Sequence, residues 1–254
     1  MILVNMNTDE IQWRQAVPGE LINSNKVHVW RASLDVTTVE LESLLGSLSV
    51  DELARAERFH FERDQKRFIA ARGILRKILG SYLNKHPGKI CFEYGAHGKP
   101  MLVHEAGDEN ICFNLSHSGS LALYAVTLRK KIGIDIENIR DDISIGQVAG
   151  QFFSQNEISS LEKIDINKRS GLFFQYWTRK EAFLKARGEG ISFPMEQCDV
   201  SLISGGLLSP VTVQDNNTEI SSLYVQDLFP GNGYAAAIAI EDSDCNISCL
   251  HYSL

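Results

Sequence analysis

Gly133-Ile134-Asp135-Ile136-Glu137, entered from Lys130-Lys131-Ile132 and left through Asn138-Ile139-Arg140, is the stretch around which the chain is organised. Apolar and acidic residues alternate through it, and strict alternation reads as a β-strand. Successive side chains on a strand point to opposite faces, so Asp135 and Glu137 share one face and Ile134 and Ile136 the other, the expected core face. Two carboxylates side by side on a rigid strand repel each other. An arginine, a lysine or a hard divalent cation would offset that repulsion. The plain alternative is a solvated edge strand with its acids in water.

The rest of the chain narrows the choices. Its 254 residues fit one large domain or two small ones. The 44% hydrophobic and 22% charged fractions are those of a soluble globular protein. A formal net charge of −7 argues against general nucleic-acid binding. Cys91, Cys112, Cys198, Cys245 and Cys249 lack metal-finger spacing and read as free thiols in a reducing compartment. Met1 to Glu10 is too short and mixed for a signal peptide, and no apolar run is long enough to span a bilayer. The expectation is a cytoplasmic protein with no membrane partner.

Lys26 to Leu34 alternates around Val27, Val29 and Trp30 and reads as a strand. Pro18-Gly19 before it is a turn signal. Ser49 with Glu52 forms a capping box that opens a long helical region, broken near Phe61 to Asp64 and ending about Leu83. Phe68, Ala71, Leu75, Ile78 and Tyr82 make one apolar stripe on its second part. Asp51 to Lys77 holds eight basic residues against five acidic ones. That excess is either a solvated helix face or a landing site for phosphates. Ile111 to Leu115 and Leu121 to Thr127 read as strands around a turn at Ser116-His117-Ser118-Gly119. Ser154 or Asn156 caps a short helix over 156–164, and a longer helix runs from about Arg169 to Arg187 and stops at Gly188. On that helix Trp177, Glu181 and Lys185 lie on one face. Strands return over 198–203, 221–228, 234–241 and 247–253. Each half combines a helical stretch with short strands, which predicts an α+β chain of two similar lobes joined near 128–132.

Four segments in this order resemble the surfactin-type 4′-phosphopantetheinyl transferases: Gly98-Lys99-Pro100, Phe113 to Ser118, Gly133 to Glu137, and Trp177-Thr178-Arg179-Lys180-Glu181-Ala182-Phe183-Leu184-Lys185. Phe152-Phe153-Ser154 with Glu157 fits between the last two. Each is a weak signal alone; their order and spacing together are specific. The resemblance implies a monomer of two pseudo-twofold-related lobes, each with a small, mostly antiparallel sheet and helices. Residues 1–129 would form the lobe on the 3′-phosphate and adenine side of coenzyme A, and 130–254 the magnesium and catalytic lobe. The enzyme would move the phosphopantetheine arm of coenzyme A to a serine of an apo acyl or peptidyl carrier protein, releasing adenosine 3′,5′-bisphosphate.

By the same resemblance, Asp135, Glu137 and Glu181 would hold Mg²⁺, a hard ion that takes oxygen ligands and keeps waters. Glu181 is also the candidate base for the serine proton, and Lys185 would reach the pyrophosphate. Lys180 is either a helper or purely structural. Arg55, Arg67, Ser116 and His117 match positions around the 3′-phosphate, and Gly98, Lys99 and Pro100 the loop beside adenine. Position 52 departs from the pattern, with Glu52 where the prototype carries a base. That removes a cation from the phosphate pocket, so Glu52→Lys is expected to favour coenzyme A. Two other function classes fit clustered carboxylates and cations: a magnesium-dependent phosphohydrolase, and a non-catalytic protein that binds coenzyme A or a carrier.

Overall fold

The computed structural model describes residues 12–17, 20, 22–96, 98–103, 109–188, 193–201, 207–213 and 219–254. The Pro18-Gly19 turn and the strand expected at 202–203 lie outside them. In chain order the strands and helices are β1 (Arg14–Gln15), β2 (Lys26–Ser33), α1 (Thr38–Leu45), α2 (Val50–Ala56), α3 (Glu62–Leu83), β3 (Phe92–Tyr94), β4 (Pro100–Leu102), β5 (Ile111–Ser118), β6 (Leu121–Leu128) and β7 (Ile132–Asn138). They continue with α4 (Ile145–Phe152), α5 (Gln155–Lys163), α6 (Ile166–Arg187), β8 (Cys198–Asp199), β9 (Ser209–Val213), β10 (Glu219–Leu228), β11 (Tyr234–Ile240) and β12 (Asn246–His251). The chain divides into two units. One is Arg14–Lys130 with Cys245–Leu254; the other is Lys131–Asp244 with the segment ending at Trp13.

In the first unit the sheet order is β1-β12-β2-β6-β5. The β2–β6–β5 part is antiparallel, while β12 runs parallel to both β2 and β1. Helix α3 lays Ala71, Ile74, Leu75 and Ile78 against Phe113, Tyr124 and Val126 of the sheet. Tyr124 is buried and donates its hydroxyl to the Ala71 carbonyl at 3.0 Å, which ties helix to sheet. Two capping boxes start helices here, Thr37 with Glu40 and Ser49 with Glu52. They satisfy amide donors that would otherwise lack partners.

The second unit is an antiparallel sheet, β7-β11-β10-β9-β8, with α6 along one face. Phe173, Phe183, Ala182 and Ala186 of the helix pack in one core with Val225, Ala237 and Ala239 of the sheet. Trp13 joins this unit by donating its indole N–H to the Phe229 carbonyl at 2.6 Å.

Two sequence expectations change. Residues 245–254 do not stay with the second lobe, because β12 pairs with β2 over Asn246↔Lys26 to His251↔Arg31. Without it β2 would present an open edge of unpaired N–H and C=O groups. A parallel partner needs a long crossover, so no local signal names it. The strand at 111–115 also runs further, to Ser118, so Ser116 and His117 lie in the ladder opposite Leu123 and Ala122 rather than in the turn.

Candidate active site

Glycine at position 133 brings α6 onto β7. A Cβ there would collide with the Ala182 carbonyl oxygen and stand 2.5 Å from the Ala186 amide nitrogen. Ala182 and Ala186 are one turn apart on the helix, so a small-residue seam meets a side-chain-free strand position. Residues 133, 135 and 137 share a strand face, so the same approach sets Asp135 and Glu137 toward the helix. β7 is the edge strand of its sheet, yet Asp135 is only 4% exposed, so its carboxylate does not stand in water. Ile134 and Ile136 are buried on the opposite face, as their alternation predicts.

Lys185 answers the buried acid. Its ammonium donates to Oδ1 of Asp135 at 2.6 Å and to the Ile134 carbonyl at 3.2 Å. Glu181 lies one turn earlier and half-buried. Burial pushes its carboxyl above the usual carboxylate range, Asp135 and then Glu137 add to the rise, and Lys185 opposes it. All four side chains therefore belong to one electrostatic group. A carboxylate held more basic than a surface acid is suited to accept a proton.

The neighbouring charges of α6 hold the helix in place. Lys180 is fully buried; its ammonium donates to the Met195 carbonyl at 2.8 Å and to the Cys198 carbonyl, and pairs with Glu157 at 3.0 Å. Those three contacts match the three protons of an ammonium. Arg179 grips Asp227 through Nε at 2.7 Å and Nη2 at 2.6 Å, and donates to the Val200 carbonyl at 2.9 Å. Glu157 also closes the capping box on Ser154 and accepts from the Val200 amide at 2.9 Å. Lys180 is thus structural, and Arg179 and Glu157 are anchors whose role only their distant partners disclose.

The donor set of Asp135, Glu137 and Glu181 is all carboxylate oxygen, which fits a hard divalent cation. No group of three or more His, Cys, Asp and Glu side chains stands at metal-binding spacing among the described residues. With Lys185 already on Asp135, a cation held here would complete its shell with water or substrate oxygens, as Mg²⁺ ordinarily does.

The first unit contains a pocket of about 210 Å³ lined by residues that include Arg55, Arg72, Tyr94, Gly98, Pro100 and His117. His117 reaches it because it continues the face of Phe113 and Leu115 beyond the core end of β5. Gly98 has φ +75°, a left-handed conformation that glycine adopts without strain, and its loop is closed by the Gly95 amide donating to the Lys99 carbonyl at 3.0 Å. Arg55 lies over the Phe68 ring at 5.5 Å. Lys99 and Ser116 sit next to the lining residues in sequence but are not part of the lining.

Arg67 is not brought to this pocket. It lines a separate depression and donates through Nε at 3.0 Å and Nη2 at 2.9 Å to Asp35. Glu52 also differs from expectation. It is 2% exposed and clasped by Arg72 and Arg76, so it does not stand in the pocket as a missing cation.

Comparison with known proteins gives a consistent picture. A model of the 4′-phosphopantetheinyl transferase superfamily matches residues 131–239, and a model of a 4′-phosphopantetheinyl transferase N-terminal region matches residues 30–129. The 4′-phosphopantetheinyl transferase HetI of Nostoc sp. is 38% identical over 240 residues, covering 94% of this chain and 98% of that protein. A putative 4′-phosphopantetheinyl transferase of Synechocystis sp. is 39% identical over 150 residues, 59% of this chain and 61% of that one. The 4′-phosphopantetheinyl transferase Sfp of Bacillus subtilis is 28% identical over 205 residues, 81% of this chain and 87% of that one.

Proposed function

The chain belongs to the 4′-phosphopantetheinyl transferase family, and on that premise we propose that it moves the phosphopantetheine arm of coenzyme A onto a serine of an apo acyl or peptidyl carrier protein. The serine oxygen attacks the β-phosphorus of the pyrophosphate. The bond to adenosine 3′,5′-bisphosphate breaks, and the serine proton passes to a base. The observation that carries this reading is the seating of α6 on Gly133, which puts Glu181 and Lys185 in the field of Asp135.

Each residue has work that its surroundings support. Glu181, held basic by burial and by its acidic neighbours, takes the serine proton. Lys185 stabilises negative charge on the transferring phosphoryl group and its leaving oxygen. Asp135, Glu137 and Glu181 are the residues that would hold Mg²⁺, which supplies charge neutralisation at the pyrophosphate when bound. In the other unit, Arg55 and His117 hold the 3′-phosphate, with Gly98 and Pro100 beside the base. The five free thiols suit a reducing compartment, and no helix among the described residues is long and apolar enough to cross a membrane.

The test is direct. The full chain is incubated with coenzyme A, magnesium chloride and an apo carrier protein, and the carrier is weighed. A gain of one phosphopantetheine, absent when the carrier serine is replaced by alanine, is the expected result. Free adenosine 3′,5′-bisphosphate with an unmodified carrier would favour hydrolysis, and no change would leave only binding. Repeating the assay over fatty-acid, polyketide and nonribosomal-peptide carriers identifies the partner.

A further inference from the structure

Three charged side chains form one buried cluster between α2 and α3. Oε1 of Glu52 accepts from Nε of Arg72 at 2.6 Å and lies 2.5 Å from its Nη2; Oε2 accepts from Nε of Arg76 at 2.6 Å. Burial alone would raise the Glu52 carboxyl, but Arg72, the Ser49 amide and Arg76 outweigh it and hold it below the usual range. The cluster is therefore two guanidinium cations against one carboxylate. Asp51, on the exposed first turn of α2, also feels both arginines. An unbalanced charge out of water is costly unless an ion of opposite sign completes it.

The two arginines differ in where they face. Arg76 is 1% exposed and gives Nη1 to the carbonyls of Pro87 at 3.1 Å and Ile90 at 2.8 Å. Arg72 is 7% exposed, lies over the Phe92 ring at 4.7 Å, gives Nη2 to the Tyr94 hydroxyl at 3.1 Å, and lines the pocket that holds Arg55 and His117. Its Nη1 makes no hydrogen bond among the described residues. The unbalanced positive charge is thus presented at the pocket wall on a guanidinium fixed from behind.

We infer that Arg72 is a further phosphate-binding residue of this pocket, with Glu52 and Tyr94 as its positioning residues. The inference rests on the coenzyme A reading given above and adds to it. A guanidinium presents its donors in a rigid fork suited to phosphate oxygens, and one oriented beforehand loses less freedom on binding. On this view Glu52 does not deprive the pocket of a cation; it holds one in place.

The experiment is calorimetry of the full chain with coenzyme A and with dephospho-coenzyme A, which lacks the 3′-phosphate. Wild type should prefer coenzyme A. Arg72→Gln should weaken coenzyme A about ten- to a hundredfold and leave dephospho-coenzyme A within about twofold. Arg76 still neutralises Glu52 in that variant, so its melting temperature should stay near wild type. Tyr94→Phe, on a half-exposed side chain, should narrow the preference without unfolding the protein, and Arg72→Lys should fall between wild type and Arg72→Gln. An unchanged preference in Arg72→Gln, or an equal loss for both ligands, would overturn the assignment. If Arg72→Gln fails to fold, an unchanged preference in Tyr94→Phe overturns it instead. Wild type that binds neither ligand defeats the coenzyme A reading itself, and the inference with it. A carrier mass gain in wild type alongside an unchanged preference in Arg72→Gln removes only the role of Arg72.

Discussion

Gly133 and Ala182 touch backbone to backbone, with no room between strand and helix for one methyl group. That contact sets the spacing of the carboxylate cluster, because Glu181 is the residue before Ala182 and Asp135 lies two beyond Gly133.

Gly133→Ala should therefore act on both stability and rate. Overpacking of this kind costs about 1–3 kcal/mol, and here the clash is with helix backbone rather than with a side chain that can turn aside. The melting temperature is expected to fall, and transfer turnover to fall further than the folded fraction accounts for, since α6 must shift away from Asp135. Turnover per folded molecule equal to wild type would show that the seam does not position the site.

Glu181→Gln separates chemistry from structure. The side chain makes no hydrogen bond or salt bridge among the described residues, so its amide should leave the fold intact. Loss of a general base alone lowers rate by about 10²–10⁴-fold. Single-turnover transfer at saturating magnesium measures it, and a rate within a few fold of wild type would remove Glu181 as the base.

Glu52→Lys, which the motif comparison alone would offer as an improvement, should instead unfold the first unit. It would bury a third cation beside Arg72 and Arg76. Uncompensated buried charges cost about 3–5 kcal/mol. Urea unfolding compares wild type with Glu52→Lys and with Glu52→Gln, and the lysine is expected to be the worse of the two. A lysine variant as stable as wild type would mean that this cluster is open to water.

A pH effect should come from His28. Its ring is fully buried, with Nδ1 at 2.6 Å from the Tyr82 hydroxyl, which already accepts from the Trp30 indole at 2.9 Å. The other ring nitrogen, Nε2, lies 3.8 Å from the Glu20 carboxylate. Burial depresses the imidazole pKa; Glu20 opposes this, and Lys26 and Arg14 reinforce it. The unfolded chain then takes up a proton near pH 6.5 that the folded chain refuses, so stability falls as pH drops below about 6.5 and on through the lower folded value. His251 is depressed too, by burial and by Arg31 beside it, and acts in the same direction. Urea midpoints between pH 7.5 and 5.5 should fall less in His28→Asn than in wild type; parallel curves would rule this histidine out.

How much of this was legible in the sequence depends on range. The capping boxes at Ser49 and Ser154, the apolar stripe of α3 and the stop at Gly188 are local patterns, and each element lies where its pattern puts it. The box of Thr37 with Glu40 is an equally plain local signal for α1. Ser116 and His117 carry turn-forming residue types, yet pairing with β6 outweighs local preference and keeps them in the strand. Arg67 is separated by 32 residues from Asp35, and Glu52 by 24 from Arg76, so nothing near either residue discloses its partner. The alternation of β7 places two acids on one face, but only the structure shows that the face is covered by a helix and answered by Lys185.

The position of β12 between β1 and β2 has a consequence for biosynthesis. Of the described strands it is the last to leave the ribosome, yet it lies between the two earliest ones. Residues 131–244 include every strand of their own sheet, so that unit can close while β2 still lacks a neighbour on one edge. The amino-terminal sheet is then finished last, and a nascent chain stalled before Asn246 would expose the edge of β2 to chaperones or to other copies of itself.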